Sequence, residues 1–375
     1  MLSIRNLFLT LILGLITGLL AAGFFKVLFL IQDFQSHQTM YLYLMPVLWI
    51  VLRWIKQNTS YFPTTVSGVH KSDDLEYKYW SRLSIPLNFV GASLSHFVGA
   101  SVGREGAVVV FASGVGRLLG LDLKYFKPIL MAAGFAIAMD HPWIALVFIY
   151  EMFSTRIDQK LFAVLAAWVG CLVLRSFQLP ALFDPILVVH RNDFWDLFFF
   201  VLILSLSVGY GSRLYKWIFQ KIKTLTHPKK QWGGFLLVVV LTAVLWLPEF
   251  KSVHSLSLTS FEQIKNGIVS EQFLWMKFLI TVVSVAIGFW GGDFIPSVVL
   301  GSGWAVWLAP HFKVDPQMAL MLGAFSFFAA LNLLKWTAFF LTLSVFGSEH
   351  FMWLYFCLTL VKSFSGNVSL YRHEP

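Results

Sequence analysis

The sequence has very little charge for its length. Of its 375 residues only 13% are charged, whereas 58% are hydrophobic and the mean hydropathy is +0.73. Soluble domains carry about 25% charged residues, and so few charges cannot cover the surface of a water-soluble protein of this size. This composition excludes a secreted domain, a disordered chain and nearly every cytosolic enzyme. It predicts a chain whose surroundings are lipid.

Cysteine and acidic residues are also scarce. The two cysteines, Cys171 and Cys357, lie in apolar runs, where a thiol behaves as a small hydrophobe, and their number excludes a disulfide framework. There are 28 basic residues against 19 acidic ones. In a membrane protein the positive-inside rule explains this excess, so no nucleic-acid partner is expected. We predict a cytoplasmic position for a stretch with six cations and no acid: Arg213, Lys216, Lys221, Lys223, Lys229 and Lys230.

The first apolar run is a membrane helix rather than a signal peptide. Leu7–Leu30 has 24 residues with a single charge, Lys26. At about 1.5 Å per residue it spans roughly 36 Å, and it is longer than the apolar part of a signal peptide. Gly14, Gly18 and Ala22 recur every four residues and predict close contact with another helix.

Most of the later apolar segments are shorter than the roughly 20 residues that a spanning helix needs. In the first half they are Met40–Ile55, Ile85–Phe97, Ala107–Leu119, Pro128–Ala138, Trp143–Phe153 and Leu161–Phe177. In the second half they are Leu197–Tyr215, Gly233–Leu247, Phe273–Phe289, Ser297–Leu308, Met318–Leu334, Ala338–Phe346 and Phe351–Phe364. Glycine and proline separate many of them, and broken helices are tolerated in lipid only inside protein or along a cavity. The pattern predicts an all-α integral membrane transporter or channel with broken helices.

Two of the interruptions resemble each other. Gly103–Gly106 and Gly291–Pro296 each place an acid, Glu105 or Asp293, in a glycine-flanked break before an apolar helix. The two acids are 188 positions apart (293 − 105), half of the chain. This spacing predicts one transmembrane domain that consists of two repeats, 1–190 and 191–375, inverted relative to each other. A chance pairing of glycine-rich breaks is the alternative.

The break at Gly103–Gly106 has the chemistry of an anion site. Glycines expose backbone N–H groups, and the helix that follows offers its positive end to an anion. The carboxylate of Glu105 is able to occupy such a site and to leave it when protonated, so that it would act as a gate and a proton carrier. The alternative is a helix cap with Arg104 as its salt-bridge partner. Acids inside a membrane are costly and usually functional.

Gly103-Arg104-Glu105-Gly106 resembles the G-R-E-G core of the CLC family of chloride channels and anion/proton antiporters. Three other segments match in the same order: Leu15–Phe29 resembles the first conserved helix, Gly291–Pro296 the G-G-x-F-x-P motif, and Ser365–Tyr371 the segment with the central tyrosine. The resemblance implies the CLC fold of tilted, inverted helical repeats. It also implies a homodimer with one pathway per subunit, halide and protons as substrates, no cofactor, no metal and no enzymatic activity.

A finer resemblance is to the fluoride/proton antiporter branch of this family. Ser95–Val102, the acidic third residue Asp293 of Gly291-Gly292-Asp293, and Val345–Glu349 are similar to that branch. The loop Val66–His70 departs from the family's G-S-G-I-P sequence at both ends. Its Ser67 would face the central anion, as in chloride-handling relatives, or would be a plain turn residue. The choice between fluoride and chloride therefore stays open, with fluoride favoured and Asp293 needed for its transport.

The resemblance implies further site residues. The backbone N–H groups of Gly106, Ala107, Phe294 and Ile295 would bind the anion together with Ser67. Ala107 replaces a proline that chloride-handling relatives usually have.

The hydroxyl of Tyr371 would donate a hydrogen bond to the anion, or Tyr371 would be an interfacial tyrosine.

Glu151 lies at or one position from the internal proton relay of the family's antiporters. Otherwise it forms a helix-end salt bridge to a residue such as Arg156. His96 and His141 are interpreted as packed or helix-end histidines.

The leading function is proton-coupled antiport of fluoride, or of chloride, across a bacterial inner membrane. A passive chloride channel on the same fold is the nearest alternative, and it would need no internal relay at Glu151. An intramembrane aspartyl protease fits poorly, because its G-x-G-D site needs a glycine where Trp290 stands, and Asp140 is the only plausible second acid.

Overall fold

The computed structural model describes residues 4–58, 63–72, 82–179, 188, 193–226, 231–247, 250 and 253–371. In these residues the backbone forms α-helices and short 3-10 helices, and the single β-type pairing is an isolated bridge between Gly103 and Gly292. Helices satisfy their own backbone hydrogen bonds, which lipid cannot do for them. The predicted all-α membrane fold is confirmed.

The first half contains eight described α-helices. They are α1 (Ile4–His37), α2 (Met45–Asn58), α3 (Val66–Lys71), α4 (Ser84–Phe97), α5 (Glu105–Leu118), α6 (Leu123–Met139), α7 (Ile144–Met152) and α8 (Ile157–Ser176). The described second half continues with α9 (Phe194–Leu225), α10 (Gln231–Leu245), α11 (Leu258–Lys265), α12 (Glu271–Ile287), α13 (Phe294–Leu308), α14 (Pro316–Gly323), α15 (Ser326–Asn332), α16 (Lys335–Phe346) and α17 (Phe351–Phe364).

Helix lengths agree with the apolar pattern. Only α1, α8 and α9 among the described helices are both long and apolar enough to cross a membrane alone. Two predicted segments are divided. Met40–Leu44 is a 3-10 helix that precedes α2, where Pro46 lacks an N–H to continue an earlier helix. The run from Met318 onward is split between α14 and α15.

The small residues of α1 make the predicted close helix contact. The carbonyl group of Ala166 on α8 occupies the space that a Cβ at Gly14 would need. At Gly18 the carbonyl oxygen of Gly170 lies 2.6 Å from the corresponding Cβ position. The helices α1 and α8 therefore pack with their backbones close together, as small residues allow in lipid.

The two halves of the chain repeat the same packing. The long helix α1 packs on α8, and the long helix α9 packs on α17. The thiol of Cys171 on α8 lies 3.8 Å from the carbonyl oxygen of Ala136, and that of Cys357 on α17 lies 3.8 Å from the carbonyl oxygen of Leu322, with 35 residues between the partners in both cases. On this ground we propose the two repeats, 1–190 and 191–375. The junction between them lies outside the described residues.

Candidate functional site

The two glycine-rich breaks meet and form hydrogen bonds with each other. The N–H of Gly103 donates to the carbonyl oxygen of Gly292 at 2.6 Å, and the N–H of Gly292 donates to that of Gly103 at 2.8 Å. Directly after these glycines the chain enters α5 on one side and α13 on the other. The N-termini of helices from the two halves therefore lie side by side in the protein interior, where both helix dipoles favour negative charge.

Glu105 is the first residue of α5, and its side chain crosses to α13. Its Oε1 accepts a hydrogen bond of 2.7 Å from the backbone N–H of Phe294, the first residue of α13. The residue is 0% exposed. Its second oxygen, Oε2, has no hydrogen-bond partner among the described residues. A carboxylate thus occupies the helix N-terminus at which the sequence predicts an anion.

Glycines surround this carboxylate because there is no space for a side chain. A Cβ at Gly103 or at Gly292 would collide with the carboxylate oxygens of Glu105. A Cβ at Gly106 would lie 2.9 Å from the backbone nitrogen of Gly292. The G-R-E-G and G-G-D sequences therefore form one cradle around Glu105.

Arg104 is not the ion-pair partner of Glu105. No salt bridge joins them among the residues that the structure describes. The guanidinium carbon of Arg104 instead lies 3.8 Å from the centre of the Phe25 ring on α1, an arrangement in which a cation is attracted to the ring face. The helix-cap alternative for Glu105 requires a salt bridge to Arg104, and the described residues do not form it.

Asp293 precedes α13 without capping it. Its side chain makes no cap hydrogen bond to the helix, and it lies beside the hydroxyl of Tyr371 and the amide of Asn332. Asp293 Oδ2, the Tyr371 hydroxyl and Asn332 Oδ1 are all buried without a hydrogen-bond partner in the described part of the chain. Buried polar atoms are normally paired. This group, together with Glu105 Oε2, is therefore the place where an ion, a proton or water would complete the hydrogen bonding.

A cavity of about 670 Å³ leads to this group. Its lining includes three buried residues, Gly292, Asp293 and Tyr371, which we take as its inner end, and the half-buried Ser67. The lining also includes the more exposed basic residues Arg53, Lys56 and Lys223, which we take as its mouth. The Ser67 hydroxyl lies 3.4 Å from that of Thr65, whose oxygen accepts the N–H of Gly68 at the start of α3. The structure thus brings Ser67, Asp293 and Tyr371 to one cavity. Glu105 is not among the residues that line the cavity, and its carboxylate lies next to Gly292.

The other predicted anion contacts lie in the first turns of the two central helices. Gly106 and Ala107 are buried in α5, and Phe294 and Ile295 are buried in α13. None of these four is among the residues that line the cavity. Around them aromatic rings pack edge to face: Phe294 on Phe328 at 4.7 Å and on Phe135 at 5.5 Å between centroids. Tyr371 continues this cluster, with its ring 6.1 Å from that of Phe328.

Glu151 connects α7 with α16. Its carboxylate accepts hydrogen bonds from the backbone N–H of Trp336 at 3.0 Å, from that of Thr337 at 2.8 Å and from the Thr337 hydroxyl at 2.9 Å. The alternative partner Arg156 instead pairs with Asp158 at 3.2 Å. Glu151 therefore caps the first turn of α16, where a negative charge is favourable.

Sequence reasoning missed two polar residues near the cavity end. Asn332 lies inside the predicted apolar run Met318–Leu334 and is fully buried, and Tyr215 on α9 is fully buried near Asp293 with an unpaired hydroxyl. Lys216 differs from the rest of its basic stretch, because it is buried rather than at a surface. A lysine within a long apolar helix is itself a signal of function. Lys229 and Lys230 lie outside the described residues.

His96 is a packed histidine and His141 follows the end of a helix, as the sequence analysis interprets them. His96 is buried, with its Nδ1 3.5 Å from the hydroxyl of Ser255 and its ring 6.3 Å from that of Phe24. The backbone N–H of His141 donates to the carbonyl oxygen of Ala136 at the end of α6. Among the described residues no group of three or more His, Cys, Asp or Glu has the arrangement of a metal site.

The chain resembles known proteins over nearly its whole length. A family profile described as voltage gated chloride channel matches residues 44–365. A curated relative, a chloride/fluoride channel protein from Pseudomonas syringae pv. tomato, is 25% identical over 284 residues, which is 71% of this chain. The match covers 63% of that protein, so this chain spans less than two thirds of its length.

Three solved structures share the architecture. A CLC-type fluoride/proton antiporter aligns with a TM-score of 0.87 and 23% identity, over 98% of this chain and 96% of its own. A slow cyanobacterial Cl⁻/H⁺ antiporter gives 0.79 and 18%, over 97% and 94%. A eukaryotic CLC transporter gives 0.73 and 16%, over 98% and 73%. At these identities the likeness concerns the fold.

The fold and the paired helix N-termini define an all-helical membrane protein of the ion transporter and channel class. The chain belongs to the CLC family. The predicted resemblance and the predicted fold class are confirmed.

Proposed function

We propose that this protein exchanges a halide anion for protons across the membrane, with Glu105 as the gate and the proton acceptor. The observation that carries the proposal is the hydrogen bond from the Phe294 N–H to Glu105 Oε1. In this position the carboxylate takes the place of an anion at the N-terminus of α13. An anion that enters from the cavity needs that place. Protonation would remove the charge that holds the side chain there, and the site would become free.

The cavity supplies the route between the gate and one face of the membrane. Cations at its mouth, Arg53, Lys56 and Lys223, would raise the local concentration of anions. At its inner end Tyr371 offers a hydroxyl without a hydrogen-bond partner, and Ser67 offers a second hydroxyl on the wall. We assign Ser67 and Tyr371 as anion ligands, with the N–H groups of α5 and α13 completing the site behind them.

Fluoride is the proposed anion, and the acids near the site support it. Asp293 and Glu105 interact with each other electrostatically, and both have an oxygen without a partner. Two carboxylates would repel a bound halide. When protonated, however, each becomes an O–H donor, and fluoride, which is small and strongly hydrated, needs compact donors close together. Chloride is the alternative anion, supported by the serine at position 67.

A passive channel is the second candidate, and the geometry of Glu151 favours it. An internal proton relay must exchange protons with a neighbouring site, yet the carboxylate of Glu151 already accepts three hydrogen bonds from α16. The relay role requires this cap to open or to pass a proton through the Thr337 hydroxyl. If Glu151 is only a cap, protons must reach Glu105 by another path, or the transport is uncoupled.

We further propose that the protein is a homodimer in a bacterial inner membrane, with one pathway in each subunit. The support for the dimer is the family resemblance. Exposed aromatic residues at the start of α7, on α7 and on α16, among them Trp143, Tyr150 and Phe340, provide apolar surface for lipid or for a second copy.

Purified protein in liposomes tests the proposal. Fluoride-loaded and chloride-loaded vesicles are compared with an ion-selective electrode, while the external pH is recorded in parallel. Proton movement against its gradient, driven by the halide gradient, is the expected result for the antiporter. Halide efflux that never moves protons uphill would reject antiport and support the channel. Absence of efflux of either halide would reject both.

A further inference from the structure

A buried lysine lies at the meeting point of the elements that carry Tyr371 and Asn332. Lys216 is in the second half of the long helix α9 and is only 6% exposed. Its Nζ donates to three carbonyl oxygens: Val368 at 2.7 Å, Ala330 at 2.9 Å and Ser365 at 3.2 Å. No acid pairs with it among the salt bridges of the described residues. All three donor positions of its ammonium group are therefore used for backbone oxygens.

These oxygens belong to two helix ends and to the segment that follows. Ala330 is in the last turn of α15, and Ser365 directly follows α17. The last carbonyl groups of a helix have no partner within it and carry the negative end of its dipole. The ammonium group of Lys216 donates hydrogen bonds to carbonyl oxygens at the ends of both helices, α15 and α17. Without it, unpaired carbonyl oxygens would remain buried near an anion pathway.

The third oxygen belongs to the segment that ends in Tyr371. After Val368, the hydroxyl of Ser369 donates to the carbonyl oxygen of Asn332 at 2.9 Å. The N–H of Leu370 donates to the carbonyl oxygen of Leu331 at 3.1 Å, and the N–H of Tyr371 donates to the Ser369 hydroxyl at 3.2 Å. The segment is thus hydrogen-bonded to the end of α15, and Lys216 donates hydrogen bonds to both parts.

We propose that Lys216 is a positioning residue of the halide site, which holds the Tyr371 hydroxyl and the Asn332 amide beside Asp293 by joining α15, α17 and the 365–371 segment. It does not touch the anion. The inference rests on the proposed function in so far as Tyr371 binds the halide, but the placement of the segment is independent of transport.

The test compares Lys216→Met with Lys277→Met. Lys277 is the matched control, since it is 0% exposed on α12 and its Nζ also has three oxygen partners, from Val253, Ser255 and Ser257, none of them in the 365–371 segment. Hydrogen bonds to charged groups contribute more to stability than those between neutral groups. For Lys216→Met we therefore expect the halide concentration for half-maximal efflux to rise about tenfold. Lys216→Arg should restore most of the affinity, because it keeps a cation with several donors.

A double mutant separates positioning from general damage. In a Tyr371→Phe background, Lys216→Met should raise the half-maximal concentration no further, whereas Lys277→Met should have the same effect with or without Tyr371. Amide hydrogen exchange at 368–371 should be faster in Lys216→Met than in wild type or Lys277→Met. An unchanged halide affinity, or an equal loss in the Tyr371→Phe background, would overturn the proposal.

Ser369→Ala and amide hydrogen exchange test the placement of the 365–371 segment independently of Lys216→Met and of transport. If Lys216→Met does not fold, Ser369→Ala removes another fastening of the same segment and should raise the half-maximal concentration in the same direction; an unchanged value then counts against the proposal. If the wild type moves halide without protons, antiport is rejected. The half-maximal halide concentrations of wild type and Lys216→Met still test the positioning role of Lys216. If it moves no halide, hydrogen exchange at 368–371 decides, and unchanged exchange in Lys216→Met rejects the positioning role.

Discussion

The carboxylate of Glu105 lies where a side chain at position 292 would be. A Cβ built on Gly292 collides with Glu105 Oε1 and lies 3.1 Å from the backbone nitrogen of Gly106. The two residues come from different halves of the chain, and their backbones are joined through the Gly103–Gly292 pair. The gate position of Glu105 therefore depends on the absence of a side chain in the other half.

Gly292→Ala should displace the Glu105 carboxylate from the N-terminus of α13. Overpacking of a buried site costs about 1–3 kcal/mol, so we expect lower thermal stability and at least a severalfold change in halide efflux. Gly23→Ala is the control, because the nearest atom to its Cβ position, on Phe89, is 4.0 Å away. Equal efflux in Gly292→Ala and wild type would mean that the contact has no part in gating.

Glu105→Gln and Glu105→Ala should abolish proton coupling. Neither side chain is able to lose or gain the proton, so halide efflux should lose the pH dependence that comes from the gate, whether the pathway is left open or shut. In the wild type, acidification should increase efflux by neutralising the carboxylate. Glu262→Gln is the control, since Glu262 is an exposed acid that pairs with Lys265 at 2.9 Å. Normal uphill proton movement in Glu105→Ala would remove Glu105 from the mechanism.

Asp293→Ala should reduce fluoride efflux more than chloride efflux. The substitution removes an acid beside Tyr371 and Asn332 and relieves the repulsion of a larger anion. Asp293→Asn keeps the size and a permanent donor, and its intermediate effect would separate charge from hydrogen bonding. The measurement is efflux of both halides from matched liposomes. Wild-type vesicles that release chloride at least as fast as fluoride would contradict the choice of anion, and so would unaltered fluoride efflux in Asp293→Ala.

Glu151→Gln should reduce proton flux far more than halide flux if Glu151 is the internal relay. Because Glu151 also caps α16, we expect an additional loss of stability of about 1 kcal/mol. Asp315→Asn controls for the cap alone, since the Asp315 carboxylate accepts the N–H groups of Gln317 and Met318 at the start of α14. Lower stability with both fluxes unchanged would leave Glu151 as a cap and favour the channel.

Much of the fold was predictable because lipid imposes strict rules. Apolar runs had to be helices, and the length of Leu7–Leu30 marked α1 as a spanning helix. That α8 and α9 are also long enough to cross a membrane was seen only in the structure, because both helices extend beyond their apolar runs. Small residues at Gly14 and Gly18 predicted a close helix contact, although only the structure showed that the partner is α8. The junction of the two repeats and the roles of the site residues stay predictions.

The sequence by itself determined that this is a membrane protein with broken helices, and that Glu105 and Asp293 each stand in a glycine-rich break before an apolar helix. These are local properties of composition, periodicity and motif. The tertiary structure decided which groups meet: that Glu105 caps α13 instead of pairing with Arg104, that Glu151 caps α16, and that Lys216 is buried against three carbonyl groups. Contacts between residues more than 100 positions apart depend on how the helices pack, and no local pattern encodes that packing.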